Sequence, residues 1–84
     1  MNIPITFPQY RKYKNNKSFF KVNSFTQWEE IQVMGTKHFL HVYEVKILPD
    51  RNFINDMLYE YEKSWDLITS EEYFEVKLLC NASA

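Results

Sequence analysis

The chain has 84 residues, 45% of them apolar and 25% charged, which is enough for one hydrophobic core and fits a globular protein rather than a disordered one. No apolar run is long enough to span a bilayer, and no charged leader precedes an apolar stretch with a cleavage site, so neither membrane insertion nor secretion is expected. The formal net charge is −1, but residues 1–28 sum to +5 and residues 29–84 to −6. Such an asymmetry marks an anionic partner for the basic part, or two parts that attract within one fold or between subunits.

Taken in chain order, residues 1–8 form an extended arm, because Pro4 and Pro8 forbid a helix. Gln9–Lys14 reads as a strand, Asn15-Asn16 as a tight turn and Ser18–Val22 as the returning strand; Asn tolerates positive φ better than other non-glycine residues. After a break at Asn23-Ser24, Trp28–Met34 reads as a third strand and Gly35-Thr36 as a second turn. His38–Ile47 is the longest predicted strand. Phe39, His41, Tyr43, Val45 and Ile47 share one of its faces, and His38, Leu40, Val42, Glu44 and Lys46 the other. Apolar side chains on both faces predict a strand inside the sheet, covered on each side. The four strands make an antiparallel meander.

Leu48-Pro49-Asp50 starts a helix, with proline near its first position and aspartate near its cap. Phe53, Ile54, Met57, Leu58 and Tyr61 then form one apolar stripe, while Asn52, Asn55, Asp56, Glu60 and Lys63 face water. Trp65–Ile68 reads as a short fifth strand. Residues 70–80 carry two conflicting signals. Thr69 stands three before Glu72 as in a capping box, with Ile68 placed to staple onto Tyr73, whereas Phe74, Val76, Leu78 and Cys80 alternate in strand rhythm. The start signals favour a helix, and residues 81–84 should fray. The expected fold is α+β: one domain over 1–84, an antiparallel sheet of four or five strands with one or two helices packed on it.

Three stretches resemble small bacterial proteins of the kind carried on phages and other mobile elements: Tyr13 with Ser18–Val22, then Glu29–Gln32, then Lys46–Ile54. The resemblance spans part of the chain and contains no catalytic motif. It implies a bacterial accessory protein and assigns no functional residue; a small mobile-element inhibitor, its acidic second half presented to a basic surface, is a special case of a protein-interaction protein.

Catalytic and metal-binding constellations are sparse. His38 and His41 are three apart, which on a strand sends them to opposite faces and away from a shared metal. Cys80 lies at the far end of its element, without the base or cation that activates a thiol; as a single cysteine it points to an intracellular, cytoplasmic setting. The carboxylates Glu29-Glu30, Glu60 with Glu62, and Glu71-Glu72-Glu75 are explained as solvated faces or helix-dipole partners. With one glycine, Gly35, there is no phosphate-binding loop. A non-enzyme without metal or cofactor is expected.

Two binding functions remain. Tyr10, Arg11, Lys12, Tyr13, Lys14, Lys17 and Lys21 interleave rings with cations along one predicted hairpin, as single-stranded nucleic-acid binders do. A lysine-protected hairpin edge has the same composition. The leading expectation is instead a protein-interaction or self-associating protein. Fifteen aromatic residues (seven Phe, six Tyr, two Trp) exceed what so small a core readily hides, and a net charge near zero does not keep copies apart.

Overall fold

In the computed structural model, which describes residues 5–82, the first hairpin closes as its asparagines require. Asn16 sits at φ 61°, its N–H donates to the Tyr13 carbonyl at 2.9 Å, and Asn15 Oδ1 accepts the Lys17 N–H at 2.9 Å. This turn joins β1 (Gln9–Tyr13) to β2 (Ser18–Val22). β3 (Gln27–Met34) follows and turns through Gly35, at φ 65°, into β4 (Lys37–Glu44). Each strand pairs antiparallel with the next, which is the predicted meander. A fifth strand, β5 (Trp65–Leu67), pairs with the free side of β1 and gives the order β4-β3-β2-β1-β5.

The last part of the predicted fourth strand is diverted. Asp50 Oδ2 accepts the N–H groups of Lys46 and Ile47 at 3.1 and 3.3 Å, which takes both residues out of the ladder. The same carboxylate seats the start of α1 (Leu48–Tyr59), so β4 stops at Glu44 instead of Ile47. α1 lies on one face of the sheet. Its Ile54, Met57 and Leu58 are buried with Phe20, Val22, Trp28 and Trp65, and Phe53 is half-buried against the rings of Phe20, Trp28 and Trp65. Tyr61 falls outside the helical stripe: it belongs to a short 3-10 turn, Tyr61–Lys63, and carries the Arg11 guanidinium over its ring at 4.7 Å.

On residues 70–80 the capping signals win over the strand rhythm. α2 (Ser70–Ala82) begins where Thr69 Oγ1 accepts the Glu72 N–H at 3.1 Å, and Ile68 packs in one cluster with Tyr73 as a staple does. The Glu72 carboxylate meets Lys12 Nζ at 3.7 Å. The helix turns Tyr73, Val76, Lys77 and Cys80 toward the sheet and leaves Phe74 and Leu78 outside, a separation that an alternating strand could not make. It continues through Asn81 and Ala82; residues 83–84 of the tail predicted to fray, and residues 1–4 of the predicted arm, lie outside the described residues. Thr69→Ala should lower stability by about 0.5–2 kcal/mol and Thr69→Gly by less, since glycine tolerates the cap backbone. Urea titration of the three proteins checks this, and equal stability of all three would mean that Thr69 does not cap.

Two cores result, one on each face of the sheet. Under α1 lie Phe20, Val22, Trp28 and Trp65; under α2 lie Phe19 and Ile31, packed with the helix's own Tyr73. The consecutive pair Phe19-Phe20 splits between them, as the strand period of two demands.

Candidate interaction edge

The basic hairpin is engaged by its own chain. Arg11 is 4% exposed. Its Nε donates to the Met57 carbonyl in the last turn of α1 at 2.8 Å, and Nη1 donates to Tyr10 O and Gln9 Oε1 at 2.8 and 3.2 Å. Burial pushes its pKa below the usual arginine value, with the nearby Tyr61 opposing that shift. Lys14 pairs with Asp66 on β5 at 2.8 Å, and Lys12 with Glu72 on α2. Lys21 lies 5.5 Å from the Phe74 ring centroid, and Tyr10 packs between Tyr73 and Phe74. Tyr13 stacks on Trp65 at 5.4 Å. Of the seven hairpin residues, Lys14 and Lys17 are the exposed ones, Lys14 with its ammonium on Asp66. The +5 and −6 segments thus meet inside one fold.

The predicted carboxylate pair Glu29-Glu30 separates onto the two faces. Glu29 Oε1 accepts the Tyr73 hydroxyl at 2.8 Å and Lys77 Nζ at 3.1 Å, beneath α2. Burial opposes its ionisation, but the Tyr73 and Lys77 hydrogen bonds outweigh burial and hold its pKa below the usual carboxylate value. Burial and the Glu29 carboxylate both push the Tyr73 hydroxyl up, so it stays a donor. Glu30, on the other face, accepts the Ser18 hydroxyl at 2.8 Å. Sequence spacing could not find the Glu29–Tyr73–Lys77 cluster, because its members come from two elements more than forty residues apart.

His38 and His41 stand on opposite faces of β4, paired across the ladder with Val33 and Glu30. His38 is half-buried, and its Nδ1 has no hydrogen-bond partner among the described residues. The half-buried Cys80 thiol has its pKa raised by burial. Among the described residues, no group of three His, Cys, Asp or Glu is placed to hold a metal ion. A hollow of about 270 Å³ between Phe25, Thr26, Arg51, Ile54 and Asn55 carries one ionisable lining residue, Arg51, and so no acid–base pair.

The prediction for β4 is overturned. It is not an interior strand but an edge, because α1 carries the chain across one face and β5 docks on the far side of β1 instead. The two edges differ. β5 has three residues and a charged Asp66–Lys14 contact, a short and protected edge. β4 has eight residues, Lys-His-Phe-Leu-His-Val-Tyr-Glu, with charge only at its ends apart from the two histidines. Phe39, Leu40, Val42 and Tyr43 are 42%, 40%, 59% and 39% exposed, although α2 reaches β4 on one face. Met34, the last residue of β3, is exposed beside them.

The backbone of this edge is open as well. Val45 N donates to Thr26 O at 2.7 Å, and β3 meets β2 through Val33 N donating to Lys17 O at 2.8 Å. Antiparallel ladders alternate, so the N–H and C=O groups of Lys37, Phe39, His41 and Tyr43 face β3. Those of His38, Leu40, Val42 and Glu44 point away from the sheet. A long, apolar edge with outward backbone donors and acceptors is a template for another strand.

Compared with protein-family models, curated proteins and solved structures, the chain finds no match. Among the described residues, no helix is long and apolar enough to cross a membrane.

Proposed function

We propose that this is a non-catalytic protein-interaction protein of the cytoplasm, which binds its partner by adding that partner's strand to the edge of β4. The observation that carries this reading is the exposed, apolar, eight-residue edge strand, which no other strand of the described residues pairs on its outer side. Main-chain hydrogen bonds supply affinity in this mode, and alternate side chains supply specificity. The exposed aromatic rings Phe39 and Tyr43 lie on that strand. Arg11 is buried on the Met57 carbonyl, and Lys12 and Lys14 pair with Glu72 and Asp66; this supports it over single-stranded nucleic-acid binding, since buried or paired cations release few counterions from a phosphate backbone. Such a surface would suit the small accessory protein that the resemblance of Tyr13 with Ser18–Val22, Glu29–Gln32 and Lys46–Ile54 implies.

Proline at position 42 gives the test. The Val42 N–H points away from β3, so Val42→Pro removes an outward donor and leaves the internal ladder intact, as edge prolines do. Val42→Lys, which puts a charge on the edge, is the companion variant. Thermal stability should change little while association falls at least tenfold, read by sedimentation for self-association and by surface capture for a second protein. Association that survives both substitutions but is lost in Phe74→Ala would move the interface to α2 and overturn the reading.

A further inference from the structure

On the reading that β4 accepts a strand, we propose that the strand is β4 of a second copy of this chain, paired antiparallel about a two-fold axis at His41. Two sheets of five strands then become one of ten. The ladder restricts the choice of register. Only residues with outward backbone groups can exchange hydrogen bonds, so His38, Leu40, Val42 and Glu44 must pair among themselves. Of the registers with large overlap, one centres on Leu40, one on His41 and one on Val42.

Centring on His41 places Leu40 opposite Val42 and His38 opposite Glu44, each twice by symmetry. It also places Phe39 opposite Tyr43, twice, in the closer non-hydrogen-bonded pairs on the other face. Aromatic meets aromatic, aliphatic meets aliphatic and the carboxylate meets an imidazole. Such cross-strand pairs are the units that stabilise a sheet. Centring on Leu40 instead sets Phe39 against His41 and His38 against Val42. Centring on Val42 sets Leu40 against Glu44 and His41 against Tyr43. The self-complementarity of one register is what names the occupant. Phe39, and Tyr43 on the side not stacked on Trp28, would then bury the parts of their rings that the monomer leaves exposed. At the centre, each His41 lies between its counterpart and the Glu30 of its own β3.

Sedimentation from micromolar to millimolar concentration, together with cysteine cross-linking in a Cys80→Ser background, tests the proposal. A non-hydrogen-bonded antiparallel pair holds its Cα atoms about 4.5 Å apart, within the range that a disulfide spans. His41→Cys should therefore oxidise to a covalent dimer by itself. Phe39→Cys should not, because its own copy lies four residues away, roughly 13 Å along the strand. Mixed with Tyr43→Cys, it should link. A particle of one chain mass, 10.3 kDa, at every concentration overturns the second copy. Strand addition itself then stands or falls on whether Val42→Pro abolishes capture of another protein. A dimer that Val42→Pro abolishes but His41→Cys does not cross-link overturns the register and with it this proposal.

Discussion

Leu58→Ala is expected to destabilise the protein by about 2–5 kcal/mol, the range for truncating a buried leucine. Leu58 is 4% exposed in the last full turn of α1, in one cluster with Phe20, Val22, Trp28, Ile54, Met57 and Trp65. The loss combines the transfer of the removed atoms to water with the cavity left among rigid rings, which cannot collapse to fill it. Small domains hold about 5–15 kcal/mol in total, so this one truncation removes a large share. Urea titration measures it. A loss below about half a kcal/mol, the size of an ordinary surface substitution, would mean that α1 does not close this core.

Arg11→Ala should cost about 1.5–3 kcal/mol, the scale of hydrogen bonds to a charged group. The guanidinium does three things that alanine cannot replace. It satisfies the Met57 carbonyl at the end of α1, it bonds Tyr10 O, and it covers the Tyr61 ring. Arg11→Lys should recover little, because an ammonium lacks the planar fork that donates in two directions at once. The same experiment separates structure from binding. A residue kept for phosphate contact would leave stability unchanged when removed, whereas Arg11 ties α1 to the sheet and its loss should be read in the melting curve. An unfolding midpoint unmoved by Arg11→Ala would overturn this role.

Strand and helix identities were legible wherever a local signal was unopposed. Asn15-Asn16 and Gly35 fixed two turns by the backbone they tolerate, and Phe53, Ile54, Met57 and Leu58 fixed the inner face of α1 by their spacing. The Thr69 cap decided α2 against an alternating pattern, because a cap is a stereochemical requirement, whereas alternation of Phe74, Val76, Leu78 and Cys80 is only compatible with a strand. The candidate site was much less legible. The basic hairpin looked like a surface because its cations are contiguous in sequence. Their partners, Asp66, Glu72 and the Met57 carbonyl, are brought to them only by β5, α2 and the end of α1.

The fourth strand shows the same limit from the other side. Its sequence determined an apolar pattern on both faces, and burial in the middle of a sheet is the usual reason for that pattern. Strand order is set by where the chain goes after a strand, and that depends on which faces the helices cover. α1 crosses to the β1 side and lets β5 take the free position there; α2 then returns over the opposite face toward β4. The hydrophobic pattern therefore determined what β4 must bury, and the tertiary structure decided that α2 and Trp28 cover it only in part and leave its outer edge open. Side-chain periodicity is a property of neighbours along the chain, whereas an open edge is a property of the neighbours that the folded chain leaves out.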